Sequence, residues 1–548
     1  MILKKLLPAV LLWMLFIQLG IAQGSNQLEI LNAENLYGGR GVERLIGEVK
    51  MKHQNSLIYC DSAYFYSADN FAKLFGRVRI VDQQDPITTT SRYAEYDGNT
   101  RLAKLRDNVV FKNEETTLYT DFLDYERMTG VATYYNNGKV VDSTNVLTSE
   151  KGVYETQIEK ITFTEKVVLI NPDYTLKSNI LYYFTIPKTA ETVGVTNIVS
   201  ADGNKLNAQR SSFYDTQLKT FRFYDGDAES ETSLISGDVL FYDELAQYYE
   251  ARENVSIYNK ERKLEVFGDE GKYWEDRKYS QVIGNALVRK YFEADTMYMI
   301  ADTLISQDSE DVAERYMTAF NGVRLIKGGM SGKADSLAYI YSDSTIYLYQ
   351  DPLLWNNKSQ ISADSINFLI ANEDIDRTYL KDNTFAITRD TLDNYNQIKG
   401  RKMTGFFVNG DMSKLDVEGN GESLYFALER DTIFKGMNKL LCARIIMHFT
   451  DGQIQKINHS VKPEASFTPP HIIKKEDQRL EGFSWREEEK PTMAMIMDWR
   501  TPRIREKGFN FFDEPDILIP LPDDDEIQKS IESIQFGTAE ISATKKSQ

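Results

Sequence analysis

A short phrase returns along this chain at a nearly constant interval. Ala334-Asp335-Ser336-Leu337-Ala338-Tyr339 recurs as Ala363-Asp364-Ser365-Ile366-Asn367-Phe368, 29 residues later. In the first copy Asp335, Leu337, Tyr339 and Tyr341 alternate with Ala334, Ser336, Ala338 and Ser342. A period of two is that of a half-buried strand. Between copies runs a second phrase, a turn followed by valine and a further apolar residue. It reads Gly76-Arg77-Val78-Arg79-Ile80, Asp107-Asn108-Val109-Val110-Phe111, Glu253-Asn254-Val255-Ser256-Ile257 and Asn321-Gly322-Val323-Arg324-Leu325, among others, with starts mostly 27 to 31 residues apart. Glycine, asparagine and aspartate supply the positive φ of tight turns, which we expect between successive strands. About a dozen units fall between residues 40 and 430. A strand phrase held at one period over that distance is a repeat architecture.

The expected fold is therefore all-β: an elongated antiparallel β-jelly-roll or folded-over sheet built from about 30-residue repeats, with a disordered C-terminal tail. The expected divisions are a signal peptide at 1–22, a repeat body at 23–435, a C-terminal β cap at 436–470, and an acidic, mostly disordered tail at 471–548. Lys4 and Lys5, an apolar run and the small residues Gly20 and Ala22 carry the first of these. They place the protein outside the cytoplasm, in the periplasm, with outer-membrane association as a further expectation. Within the tail, Phe509 to Pro522 has the apolar content of a docking segment.

A net charge of −18 argues against nucleic acid as a partner, because that binding rests on lysine and arginine neutralising phosphates. The two cysteines, Cys60 and Cys442, are too few and too distant for a disulfide framework. The four histidines, His53, His448, His459 and His471, lack metal-ligand spacing and read as polar surface residues; no metal or cofactor is implied. No nucleophile, zinc or nucleotide fingerprint stands in context. Asp61, Asp121, Asp295, Asp335 and Asp364 recur at one repeat slot, whereas a catalytic acid is normally singular. They read as structural residues that cap a strand start or a turn.

The two phrases, in this order, resemble the OstA/LptA family, the periplasmic bridge of lipopolysaccharide transport. In its number of units the chain resembles the long OstA-like members of that family. The resemblance runs over about residues 28 to 430, with departures at Arg92, Arg210 and Arg222. It implies a non-enzymatic protein whose apolar groove shields lipid A acyl chains during transport to the outer membrane. Groove candidates are Val78, Ile80, Val109, Phe111, Val255, Ile257, Val323, Leu325, Leu337 and Ile366. It further implies contact with other components of the transport machinery through edge strands, and head-to-tail self-association. The rival readings are an extracellular β-helix that binds or cleaves polysaccharide, and a structural repeat rod.

Overall fold

The computed structural model describes residues 27–500, apart from 40, 85, 114–115, 294, 357, 373, 409–410, 431, 451–452 and 461–462. The expected signal peptide and the Phe509–Pro522 segment lie outside the described residues. Most of the described chain is β-strand, and the strand pairings among the described residues are antiparallel. The contacts divide the chain at Ala201 into two units.

In the first unit the hairpins are built from strands of ten to twelve residues, such as Val42–His53, Ser56–Tyr66, Phe71–Asp82, Thr88–Asp97 and Leu102–Lys112. Each of these strands breaks register once near its middle, at Ile46/Val49, Tyr59/Ser62, Phe75/Val78, Thr90/Tyr93 and Arg106/Val109. The halves before and after the break pair into separate ladders. One ladder contains 43–46, 62–66, 71–75, 93–97 and 102–106; the other contains 49–53, 56–60, 78–82, 88–91 and 109–112. The sheet is thus folded over along its line of breaks into two facing layers, the jelly roll expected from the repeat.

The second phrase does something other than expected. Gly76-Arg77 and Asp107-Asn108 do not connect strands; they sit inside single strands, at the fold-over. Both residues of each pair have positive φ: Gly76 68° and Arg77 38°, Asp107 62° and Asn108 53°. Two consecutive left-handed residues turn the backbone out of one layer and into the other. Glycine, asparagine and aspartate tolerate that conformation at least cost. The positive φ expected of these residues is present. Its place differs from the expected one, because a corner and a hairpin make the same local demand on the backbone. The hairpin connections lie elsewhere, for example at 67–70 and 98–101.

The second unit follows the same plan. Its corners include Glu253-Asn254, Gly284-Asn285, Asn321-Gly322, Asp382-Asn383 and Gly419-Asn420. Valines, leucines and isoleucines of both half-strands close into one core, with Ala286, Val288, Val323, Leu337, Ile366, Val417 and Ile445 among its buried members. The stretch expected as a cap supplies most of the strand Ile433–Thr450, then Gln453–Ser460 and Glu464–Thr468, which both pair with Ile433–Thr450.

The first part of the expected tail is an ordered strap. After Thr468 the chain doubles back over the outer face of one layer of the second unit. Gln397, fully buried, donates to Gln478 O at 2.8 Å and accepts from Leu480 N at 2.8 Å. Gln360, equally buried, donates to Ser484 O at 2.7 Å and accepts from Arg486 N at 2.7 Å. Leu480 packs with Phe385, Ile387, Leu424 and Phe426, and the helix Met493–Trp499 seats Ile496 on Phe267, Leu287 and Ile300. Arg500 ends the strap by donating to Gly268 O at 2.6 Å and pairing with Asp269 at 2.7 Å. The strap explains a lapse in strand alternation. Ala286, Leu287 and Val288 are all buried, the outer two in the core and Leu287 beneath the strap. Cys60 and Cys442 are both buried and unpaired, and burial pushes the Cys60 thiol up to about 12, so it is inert at neutral pH.

Two predictions follow from the strap. Replacing Gln360 and Gln397 with alanine strands four backbone groups and removes their partners. It should cost about 1–3 kcal/mol per site, since each buried polar group then lacks its hydrogen bond. Limited proteolysis should then cut within 473–490 before the body is touched. The second concerns Glu489, whose carboxylate is held by Arg486 and Lys333 at about 2, below its ordinary 4.5. A lowered carboxylate pKa stabilises above the unfolded value and loses that contribution as pH falls. Protection of the 486–500 amides against hydrogen exchange, relative to their intrinsic rates at each pH, should therefore fall as pH falls from 4.5 toward 2, and Lys333→Met should shrink that pH dependence.

Candidate functional site: the interior and corners of the roll

The recurrent aspartates meet the corners. Asp61 accepts from Arg77 Nε at 2.8 Å, Asp121 from the Asn108 backbone N–H at 3.1 Å, and Asp364 from Asn383 Nδ2 at 2.9 Å. Asp238 and Asp269 do the same for Asn254 at 2.7 Å and Asn285 at 3.2 Å. The two phrases of the repeat are thus the two sides of one joint. One strand supplies the left-handed pair and its neighbour supplies the aspartate that holds it. Asp335 serves a corner through its backbone, accepting from Gly322 N at 3.0 Å. Asp295 departs from the set and lies in the hairpin turn 292–296. These positions agree with the structural reading of the acidic slot. At the equivalent slot beside Asn108 stands Arg92, one of the sequence departures; with the Asn108 amide turned so that its oxygen faces it, Arg92 donates to that oxygen at 3.0 Å.

Seven of the ten groove candidates are buried on the inner face of the roll. Val78, Val109, Val255, Val323 and Ile366 are at most 1% exposed, Leu337 is at 4% and Phe111 at 5%. Ile80, Ile257 and Leu325 are half-buried. The first unit carries Val78, Ile80, Val109 and Phe111, and the second carries the other six. Within the second unit Val323, Leu337 and Ile366 share one cluster, against which Ile257 and Leu325 pack.

Side chains that periodicity does not mark also shape the interior. Tyr134 lies inside the corner at Asn136-Asn137, its hydroxyl 2.5 Å from Ser149 Oγ. It has room because Gly138 and Gly152 flank it; a Cβ on either would stand 2.3 or 2.2 Å from the ring. His53, expected at the surface, is 1% exposed, and its Nδ1 is 2.8 Å from the Tyr96 hydroxyl across the two layers. The fold-over brings positions 43 residues apart into contact, a pairing that no local signal announces. At the open side of the first unit, away from the corners, Arg127 reaches from one layer to Asp82 of the other at 2.5 Å. A cavity of about 20 Å³ lies beside this pair.

Among the described residues, no group of three or more His, Cys, Asp and Glu side chains is arranged to hold a metal ion, and no helix is long and apolar enough to cross a membrane.

The class defined by this geometry is a folded-over antiparallel roll with an apolar inner face and clamped corners. Residues 25–179 match the family model described as OstA-like protein, so the chain carries an OstA-like domain, and the resemblance drawn from its motifs is confirmed over that stretch. The match supports a periplasmic transport and binding family in general, of the kind that bridges lipid transport. No curated protein matches the chain.

The corner packing is open to test. Gly152→Ala should destabilise the protein by about 1–3 kcal/mol in urea unfolding, as overpacking does, and Tyr134→Leu in the same chain should restore part of the loss.

Proposed function

We propose that this protein is a non-enzymatic periplasmic bridge that shields the acyl chains of lipopolysaccharide between the layers of its roll on the way to the outer membrane. The observation that carries the proposal is the combination of an OstA-like domain with inward aliphatic residues that recur from repeat to repeat within each unit. Each buried CH₂ is worth about 0.8 kcal/mol, so a lipid with several acyl chains cannot cross water unshielded. A repeated corner-and-strand unit presents equivalent sites in succession. Passage along equivalent sites meets no deep minimum, which a transporter needs and a high-affinity receptor does not. The head group stays at the open side of the roll, in reach of solvent, which reconciles a phosphate-bearing ligand with a chain of net charge −18.

Partners of the transport machinery join through unpaired edges. At the N-terminal edge, Glu29–Asn32 and Asn35–Gly39 each pair, among the described residues, with Val42–His53 alone and leave Leu31, Leu36 and Tyr37 exposed. Such an edge accepts a further strand from a partner or from a second copy head to tail.

The test is in-cell photo-crosslinking. A photoreactive residue at Val109, Val255 or Leu337 should give lipopolysaccharide adducts, and one at the exposed Lys112 should not. Folded, exported protein that gives no adduct at any of the three inner positions would contradict the proposal and favour a filled structural rod.

A further inference from the structure

The interior of a roll that carries acyl chains has no use for charge, yet the first unit places an ion pair between its layers. Arg127 follows the strand Thr117–Glu126 in one layer, and Asp82 ends the strand Phe71–Asp82 in the other. Arg127 Nη2 lies 2.5 Å from Asp82 Oδ2 and Nη1 lies 2.5 Å from Ser56 Oγ. The two charged side chains are only 16% and 5% exposed. Arg101 stands on the adjacent hairpin, its carbonyl accepting from Arg127 N at 3.1 Å, and lines the same cavity. The inner wall of that cavity is apolar, with Ile80, Ile87, Ala103 and Leu105. Polar groups therefore stand at the rim and hydrocarbon stands behind them. Ile80 is one of the three inner candidates that remain half-buried.

Stability does not account for this arrangement. A buried ion pair rarely outperforms well-packed apolar side chains, because desolvation offsets the Coulomb attraction. What a pair provides is a closure that a competing anion can undo. Guanidinium groups bind phosphate in two-pronged fashion, and phosphate offers more acceptor oxygens than a carboxylate. We propose that this is an entry site for an anionic amphiphile. Its phosphate replaces Asp82 on Arg127, with Arg101 as the second cation; the layers part at the rim, and the adjoining acyl chain follows along Ile80 and Leu105. This inference rests on the transport reading and adds to it the place and chemistry of loading.

The test uses the full chain with a photoreactive residue at Ile80 or, in the other unit, at Val255. The probes are bis-phosphorylated lipid A, the same lipid with both phosphates removed, and inorganic phosphate. Bis-phosphorylated lipid A should label position 80, and the dephosphorylated lipid should do so weakly. Arg127→Gln should reduce labelling at 80 about tenfold or more, as expected for loss of a hydrogen bond to a charged group. Arg127→Lys should fall between, and Asp82→Asn should raise labelling by removing the competitor. Arg127→Lys also answers the concern that Arg127→Gln might fail to fold. Labelling at 80 that ignores the phosphates and Arg127→Gln alike would overturn the site. So would full protection by inorganic phosphate at concentrations comparable to the lipid, which would mark a free-phosphate site. Labelling at Val255 without labelling at 80 would overturn this site and leave the transport reading standing. Absence of labelling at both would overturn the transport reading itself.

Discussion

Everything in this protein depends on turning a strand through a sharp corner so that its two halves pair in two facing layers. Two consecutive residues of positive φ do that, and for a residue with a Cβ the left-handed region is costly. The chain meets the cost in two ways. Gly, Asn and Asp occupy many of the left-handed positions, and the neighbouring strand's aspartate accepts a hydrogen bond from the corner, as at Asp61–Arg77, Asp238–Asn254 and Asp364–Asn383. Because each corner folds a strand onto two layers, the inner faces of both half-strands turn toward each other. The apolar interior is a consequence of the corner, repeated as often as the corner is.

That dependence also explains what the sequence made legible. Alternation within the aspartate phrase identified strands, and the constant period identified a repeat. Leu337 and Ile366 could be placed inside because their phase follows from strand geometry alone. The corner was misplaced as a connection between strands, since Gly76-Arg77 makes the same demand on φ in either role. Contacts set by the fold-over were invisible: His53 with Tyr96, Asp82 with Arg127, and Tyr134 between Gly138 and Gly152 all join positions that share no local pattern. The strap was hidden for a different reason. Its composition is that of a solvated tail, and its hold on the body lies in backbone groups that Gln360 and Gln397 engage. The one sequence hint was on the other partner, in the unalternating Ala286-Leu287-Val288 run.

The two units answer the same design with different external support. In the second unit one layer is covered on both faces, by the core within and by residues 473–500 without. In the first unit the layers are fastened across the open side by polar contacts, Asp82–Arg127 and His53–Tyr96. A covered layer favours a fixed width. A polar fastening at a rim favours one that opens when a competing group arrives.

The central claim is that acyl chains lie between the layers. It is tested most directly by observing the lipid. A lipid A carrying a nitroxide deep in one acyl chain, held below its aggregation concentration, would be titrated with the full chain. The account predicts an immobilised spectrum that a water-soluble nickel chelate barely relaxes. A spectrum that stays fast-tumbling and fully relaxed by the chelate, with folded protein in excess, would contradict it.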